Sequence, residues 1–173
     1  MLNVIVCVDM NNAIGKKGEL GFRLPSDLAN FKEKTTGNTI VYGSKTLPSM
    51  GGKPLPNREN IIISRDKEFL YGMYREYDNV TLASIDYIIG MSLVEDFYIC
   101  GGGEIYELFM KKYGWAVNRY IITFVDAEIE GADTFFPMGL INWEDFECTD
   151  VKKDIEENGL KYSILEFTDK EHM

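Results

Sequence analysis

One apolar run limits the fold more than any other feature of the sequence. Leu2–Val8 (LNVIVCV) is nearly unbroken in apolar and β-branched residues, which is typical of a strand covered on both faces. The run therefore predicts a central strand of a mainly parallel sheet. Similar, shorter runs predict further strands at Thr39–Tyr42, Asn60–Ser64, Val80–Ala83, Asp96–Cys100 and Arg119–Val125.

Helices and loops are predicted between these strands. Pro25 suits a first helical turn, so a helix should begin at about Leu24 and run towards Thr35. We expect loops at Asp9–Gly21 and at Asp66–Asn79, the latter with a single turn of helix. Further helices are predicted at Ser44–Met50, at Ser84–Val94 with Ser84 as its cap, and at Glu104–Tyr113.

The C-terminal part of the chain predicts an antiparallel edge. Phe146–Lys152 and Lys161–Phe167 flank the turn signal Glu156-Glu157-Asn158-Gly159, which is the pattern of a hairpin. The fold class is therefore α/β, with a mainly parallel central sheet, flanking helices and an antiparallel C-terminal edge hairpin. With 173 residues and no linker or repeat, we expect a single domain over 1–173.

Composition narrows the class of protein. The net charge of −10 argues against nonspecific binding to nucleic acid or to anionic membranes. The number of cysteines is odd, and Cys7 and Cys100 lie in apolar runs, so we expect reduced thiols rather than a disulfide framework. Without a signal-like segment or an apolar run of membrane-spanning length, we expect a soluble, cytoplasmic protein. The single histidine, His172, argues against a His-based metal site or triad.

The first predicted helix carries an acid among apolar side chains. At about 100° per residue, Asp27 falls on the same face as Leu24 and Phe31. An acid in a first turn can simply complement the helix dipole, whereas a carboxylate at an apolar cleft has a raised pKa and suits a polar ring. Residues predicted on the acid's face also include Leu28 and Thr35, and those predicted on a solvated face are Asn30, Lys32 and Glu33.

Three further polar or glycine-rich segments follow predicted strands. They are Gly43–Thr46, Ser64 with Arg65, and Gly101–Gly103. In open parallel sheets, ligands bind beyond the carboxyl ends of the strands. Together with Asp27, these segments therefore predict a ligand site at one edge of the sheet, preceded by a glycine-containing loop, Gly15–Gly21, that is able to act as a lid.

Common phosphate and metal motifs are absent from the sequence. Gly43-Ser44-Lys45-Thr46 lacks the glycine before the lysine of a Walker A motif, and Gly101-Gly102-Gly103 lacks the spacing of the dinucleotide fingerprint. There is no cluster of Cys and His for zinc, and no Gly-x-Ser-x-Gly elbow of an α/β-hydrolase. The sequence thus disfavours P-loop NTPases, ordinary Rossmann enzymes and metal sites.

A series of spaced motifs resembles one known family, dihydrofolate reductase, over nearly the whole chain. In chain order they are Ala13-Ile14-Gly15, Leu24-Pro25-Ser26-Asp27-Leu28 with Phe31-Lys32 and Thr35, Tyr42-Gly43-Ser44-Lys45-Thr46, Pro54-Leu55-Pro56-Asn57-Arg58-Glu59-Asn60, Gly101-Gly102-Gly103-Glu104-Ile105-Tyr106, Thr123, and Asp133-Thr134-Phe135-Phe136-Pro137. The resemblance implies reduction of 7,8-dihydrofolate to 5,6,7,8-tetrahydrofolate with NADPH, by hydride transfer to pterin C6 and protonation at N5.

The resemblance also implies roles on the substrate side. Asp27 would bind N3 and the 2-amino group of the pterin through its two carboxylate oxygens, and Thr123 would support that carboxylate. Arg58 would pair with the α-carboxylate of the substrate's glutamate. The apolar walls would be Ile5, Leu28, Phe31, Met50 and Leu55.

On the cofactor side, the resemblance implies a site that runs from the nicotinamide to a 2′-phosphate. Tyr106 would lie beside the hydride path, and Ser64 and Arg65 would meet the 2′-phosphate, which favours NADPH over NADH. Residues implied near the nicotinamide are Cys7, Ala13, Ile14 and Gly15, those near the pyrophosphate are Gly43, Lys45, Thr46, Gly101, Gly102 and Gly103, and those along the same site are Ser44, Cys100, Glu104 and Ile105.

The sequence departs from the family pattern at three positions. Phe22 stands where the family usually has Trp and cannot donate an indole N–H to a nearby water. Ser44 replaces a common basic residue, and Glu104 places an acid near phosphate, so cofactor affinity should depend on Lys45 and Arg65. Since no His or Lys is predicted beside N5, water admitted by the lid is the expected proton donor.

Two other functions remain as alternatives. A reductase of the same fold could act on a pyrimidine intermediate of flavin synthesis, although Asp27 and Arg58 favour folate. A ligand-binding or structural relative with a weak catalytic rate is the second. For the enzyme we expect a monomer that binds small molecules and neither nucleic acid nor membranes.

Overall fold

The chain forms a central sheet between helices, with a smaller sheet beside it. The computed structural model describes residues 1–173, apart from the side chains of Phe69 and Met73. The strands are β1 Leu2–Val8, β2 Ala13–Lys16, β3 Glu19–Leu20, β4 Thr39–Gly43, β5 Glu59–Ile63, β6 Val80–Thr81, β7 Phe97–Ile99, β8 Val117–Val125, β9 Thr134–Phe135, β10 Phe146–Glu157 and β11 Leu160–Asp169. The α-helices are α1 Pro25–Thr35, α2 Lys67–Tyr74, α3 Ile85–Met91 and α4 Gly103–Tyr113, and Ser44–Met50 is a 3₁₀ helix.

The large sheet has eight strands in the order β10-β11-β8-β1-β7-β4-β5-β6. Strand β1 pairs in parallel with both β7 and β8, and β4, β5 and β6 continue the parallel part. Strands β11 and β10 add an antiparallel edge to β8. The prediction of a mainly parallel sheet with a C-terminal antiparallel hairpin is therefore confirmed.

The central position of β1 follows from its unbroken apolar run. Val4, Val6 and Val8 belong to one apolar cluster, whereas Ile5 belongs to a second cluster on the other face. Successive side chains of a strand point to opposite faces, so both faces of β1 are covered by apolar groups. This double coverage places the carboxyl end of β1 in the middle of the sheet edge where a ligand site is expected.

Two local predictions were wrong because the sequence signal was weak. Asp66–Asn79 contains α2, an eight-residue helix, rather than a single turn. Asp9–Gly21 was expected to be a loop, but it contains β2 and β3, which pair with each other and, through β2, with β9 to form a three-stranded sheet. These strands have two to four residues, too few to show a periodicity, and β9 lies far along the chain.

Helix α1 begins and ends where the sequence predicts. Leu24 is its N-cap, Pro25 is its first residue, and it ends at Thr35. The prediction of a solvated face was wrong at Asn30, which is 4% exposed and accepts a hydrogen bond from Lys152 Nζ at 3.1 Å. Strand β10 contributes Lys152, so the C-terminal hairpin covers this side of α1, which local periodicity could not reveal.

Candidate active site

The acid predicted to organise the site is held between α1 and the central sheet. Asp27 lies in the first turn of α1, and Thr123 of β8 donates a hydrogen bond from Oγ1 to Asp27 Oδ1 at 2.5 Å. Thr123 itself is 2% exposed. Burial raises the pKa of Asp27 above its usual range, the hydroxyl of Thr123 partly opposes that rise, and the charge of Glu157 adds to it. The site thus contains a carboxyl group with an increased affinity for a proton.

The charge of Asp27 acts on two residues that line a cavity. It contributes to raising the pKa of Cys7 and of Tyr106, although burial is the main cause for both groups. Tyr106 donates a hydrogen bond from its hydroxyl to the carbonyl of Ile5 at 2.7 Å and packs edge-on against Phe136. The ring of Tyr106 is therefore fixed between α4 and β1.

The cavity has a volume of about 1000 Å³ and lies along the carboxyl ends of the strands. Most of the residues predicted to bind the cofactor line it. They are Cys7, Ile14, Gly15, Gly43, Ser44, Lys45, Thr46, Ser64, Arg65, Cys100, Gly102, Gly103, Glu104, Ile105 and Tyr106. The predicted residues Ala13, which is buried, and Gly101 are not among its lining residues.

Two glycine segments meet at the middle of this cavity. The N–H of Gly43 donates to the carbonyl of Gly101 at 2.9 Å, and the Gly101–Gly102 peptide is cis. A Cβ at Gly43 would lie 2.9 Å from Ile105, and one at Gly103 would lie 2.7 Å from Thr134. Glycine therefore allows β4, the start of α4 and β9 to approach closely and leaves backbone groups along the cavity wall.

Charged side chains lie along the cavity. Lys45 and Glu104 form an ion pair of 3.0 Å in which both side chains are mostly exposed. The hydrogen bond from Lys45 lowers the pKa of Glu104, with a smaller contribution from Arg65. Arg65 follows β5 and, like Lys45, lines the cavity. A cavity of this volume that is lined by glycine backbone and by the cations Lys45 and Arg65 fits a dinucleotide phosphate.

Most of the residues predicted to form the substrate walls belong to the second apolar cluster or pack against it. Ile5 is buried in that cluster, and Phe31, Met50 and Leu55 are partly buried and pack against it. Leu28 is 50% exposed, so this part of the α1 stripe is not packed into the core. Phe22 is also partly buried and packs against the same cluster.

Arg58 is held rigidly near these walls. It is 9% exposed, and it donates from Nε to the carbonyl of Pro56 and from Nη1 to Thr35 Oγ1, each at 3.0 Å. Its guanidinium lies 5.9 Å from the centre of the Phe31 ring. Burial lowers the pKa of Arg58 from its usual value. This places a fixed cation beside an apolar wall, as recognition of an anionic group requires.

Sequence reasoning missed two carboxylates that organise the site. Asp9 is 2% exposed and accepts hydrogen bonds from the backbone N–H groups of Asn11, Ala13 and Ile129 at 2.7 to 2.9 Å. It thereby fixes the segment that leads into β2. Its place directly after a buried strand was the available signal. Glu157 contacts α1 from the C-terminal hairpin, a contact for which the local sequence carries no signal.

The described residues contain neither a metal-binding cluster nor a helix able to span a membrane. No group of His, Cys, Asp or Glu among them is arranged to hold a metal ion. Within the same residues, no helix has the length and apolar character needed to cross a bilayer. All three cysteines, Cys7, Cys100 and Cys148, are free.

Comparisons with known proteins agree with this arrangement. The family model described as dihydrofolate reductase matches residues 1–169. Dihydrofolate reductase from Haemophilus influenzae is 35% identical over 84% of this chain and 82% of the relative's length. Dihydrofolate reductase from Bacillus subtilis is 32% identical over 98% of this chain and 95% of the relative's length. A solved structure of the Enterococcus faecalis dihydrofolate reductase, complexed with NADP(H) and RAB-propyl, superposes with a TM-score of 0.81 at 27% identity, covering 98% of this chain and 96% of that one. The chain belongs to the dihydrofolate reductase family.

Proposed function

We propose that this protein reduces 7,8-dihydrofolate to 5,6,7,8-tetrahydrofolate with NADPH, and that Asp27 binds the pterin ring. The observation that carries the proposal is the place of Asp27. This carboxyl group is held by Thr123, and its charge acts on Cys7 and Tyr106, which line the large cavity. A carboxylate presents two oxygens to paired N–H donors, and those of the pterin are N3 and its 2-amino group.

The substrate would extend from Asp27 towards Arg58. The partly buried side chains of Phe22, Phe31, Met50 and Leu55, with the exposed Leu28, offer apolar area for the pterin and benzoyl groups. Arg58 has two of its nitrogens already bonded to Pro56 and Thr35, which fixes the guanidinium in one orientation. A pre-organised guanidinium suits the α-carboxylate of the substrate's glutamate, because little side-chain freedom remains to be lost on binding.

NADPH would occupy the large cavity and supply the hydride. The backbone of Gly43 and of Gly101–Gly103 would hold the pyrophosphate together with Lys45 and Thr46, and Arg65 with Ser64 would bind the 2′-phosphate. Neither Ala13 nor Gly101 lines the cavity. They would contribute to cofactor binding only through the backbone of the residues next to them. The fixed ring of Tyr106 would limit the positions that the reacting rings can take, which is how a protein lowers the entropic part of a barrier.

Proton delivery to N5 depends on Asp27 and on water. Burial raises the pKa of Asp27, so this carboxyl group retains a proton, or shares one with the ring, to a higher pH than a free aspartate does. Phe22 offers no N–H to order a water molecule. We therefore infer that Asp27 raises the basicity of the bound ring and that water brought in at the β2–β3 hairpin supplies the proton.

The test follows the loss of the NADPH absorbance band with each of two candidate substrates and in a blank. Dihydrofolate should cause a rapid loss, whereas the pyrimidine intermediate of flavin synthesis and a blank without substrate should not. A loss with the pyrimidine alone would assign the chain to the related reductase. Tight binding of both ligands without turnover would instead identify a binding protein.

The oligomeric state of the protein and its location in the cell are the remaining parts of the proposal. We propose a monomer that acts in the cytoplasm on small molecules, since Asp27 and the cavity residues come from one chain and all three cysteines are free thiols. Light scattering at assay concentration should give the mass of one 19.8 kDa chain. A stable dimer would refute this part of the proposal without affecting the chemistry.

A further inference from the structure

The tip of the C-terminal hairpin reaches the start of the helix that carries Asp27. Glu157 is the last residue of β10, just before the turn at 158–159. Its carboxylate accepts hydrogen bonds from both donors of Ser26: the backbone N–H at 3.0 Å and the side-chain hydroxyl. The hydroxyl of Tyr162, which is 2% exposed, donates to the same carboxylate at 2.6 Å. Glu157 is therefore fixed by a buried neighbour while it holds Ser26.

Helix α1 needs this contact because its own sequence provides no side-chain cap. The N-cap residue is Leu24, which makes no side-chain capping bond, and Pro25 has no N–H. The free N–H of Ser26 in the first turn would normally be satisfied by a Ser, Thr, Asp or Asn at the N-cap. Glu157, 131 residues away, does this instead, and its negative charge also complements the helix dipole.

The residue held in this way directly precedes Asp27. The other ionisable groups whose charges act on Asp27 or feel its charge are Cys7 of β1, Tyr106 of α4 and Tyr162 of β11. All three have pKa values raised mainly by burial, to about 12 for Tyr162, so they are neutral at neutral pH. The pKa of Glu157 is lowered, chiefly by the hydrogen bond from Ser26. Among the described groups that act on Asp27, Glu157 is thus the one that is charged.

We propose that Glu157 is a positioning residue for Asp27, fixing the first turn of α1 and placing a second negative charge beside the pterin-binding acid. The proposal rests on the proposed function of Asp27 as that acid. The fixed first turn orients the carboxyl group of Asp27 towards the ring. The negative charge of Glu157 makes Asp27 hold its proton more tightly. Both effects originate in a hairpin that lies outside the cavity.

The test compares Glu157→Gln with Glu156→Gln. In Glu157→Gln, the new side chain keeps one oxygen acceptor for Ser26 but has no charge. Glu156→Gln is the control, because it removes the same charge from an exposed position of the same strand. The first measurement is an NMR titration of the Asp27 carboxyl group in the free protein, assigned with Asp27→Asn. The pKa of Asp27 should fall in Glu157→Gln and stay unchanged in Glu156→Gln, because only Glu157 lies close enough to repel the ionised form.

The second measurement is steady-state kinetics of the same variants. In Glu157→Gln, the pH at which turnover falls to half should move down with the pKa of Asp27, and KM for dihydrofolate should rise about 3- to 10-fold, as a weakened helix cap predicts. KM for NADPH should stay unchanged. Glu157→Ala should in addition lower Tm by about 2–4 °C, because the cap of α1 is then lost.

Each outcome decides the proposal. If Glu157→Gln folds and binds NADPH but its Asp27 titration and pH profile match those of the unmodified protein, Glu157 has a structural role only and the proposal is wrong. If the unmodified protein shows no turnover with dihydrofolate, the proposed function fails. The NMR titration then still decides whether Glu157 controls Asp27.

Discussion

Replacement of Asp27 by Asn should lower the turnover of the enzyme and raise the stability of its fold. Asn has nearly the same shape, and its carbonyl oxygen can still accept the hydrogen bond that Thr123 donates at 2.5 Å. It cannot ionise, and it presents one acceptor instead of two to the paired donors of a pterin. Turnover at neutral pH should therefore fall by roughly 10²–10⁴-fold, the usual cost of losing an acid–base group. That loss corresponds to about 2.7–5.4 kcal/mol of barrier.

The same substitution should increase the free energy of unfolding. The pKa of Asp27 is raised in the folded protein, mainly by burial, so the folded state binds this proton more tightly than the unfolded chain does. Such a group stabilises the fold at low pH, and this contribution is lost as the pH rises through the folded pKa. Above that pKa the buried, ionised carboxylate destabilises the fold, and Asn removes this cost. We expect the variant to be more stable there by about 1 kcal/mol, which raises Tm by about 2–4 °C.

Thermal melts of both proteins across the acid to neutral range, with turnover measured on the same samples, test this reasoning. The difference in Tm should close as the pH falls through the pKa of Asp27, because the unmodified protein then becomes neutral at this position too. Asp78→Asn, a change on the exposed surface, is the matched control and should alter neither quantity. An Asp27→Asn variant that is less stable at neutral pH, or that keeps near-full turnover, would refute the assignment of Asp27.

Three further predictions concern the cofactor cavity and its supports. Arg65→Ala should weaken NADPH binding by about 10- to 100-fold in calorimetry, as expected for a lost charge-assisted bond to phosphate. NADH binding should not change, and equal loss for both would place the 2′-phosphate elsewhere. Glu104→Gln should tighten NADPH about 2- to 5-fold by releasing Lys45 from its exposed ion pair, while Glu107→Gln, one turn further along the helix, should not; weaker binding would contradict a competing role. Asp9→Ala should lower the free energy of unfolding by roughly 3 kcal/mol in urea titrations, because three backbone donors lose a buried acceptor. A change below about 0.5 kcal/mol would show that water replaces Asp9.

Local sequence was sufficient for the parts of the fold that depend on local pattern. The unbroken run of β1 predicted its central place, Pro25 predicted the start of α1, and Ser84 was correctly identified as the cap of α3, where its hydroxyl accepts a hydrogen bond from the N–H of Tyr87. Gly43 at the end of β4 and Gly102 and Gly103 after β7 line the cavity, at the sheet edge where the sequence predicted a ligand site. In each case the determining interactions lie within a few residues, so the sequence carries the information directly.

The remaining features depend on segments that are distant along the chain. Strand β2 exists because it pairs with β9, and Asn30 is buried because the C-terminal hairpin packs over α1. The contact of Glu157 with Ser26 joins residues 131 positions apart. The local sequence around Glu157 or Ser26 does not predict this contact. Such contacts become visible only when the fold brings the segments together.

We propose that Asp27 holds a pterin while hydride passes to it from the adjoining cavity. The most direct measurement is a single turnover with NADPH deuterated at the transferred position of C4, in the unmodified protein and in Asp27→Asn, with the label located in the product by NMR. We expect one deuterium at C6 of tetrahydrofolate, formed about 10²–10⁴ times more slowly in the variant. Product without deuterium, or equal rates in the two proteins, would contradict the claim.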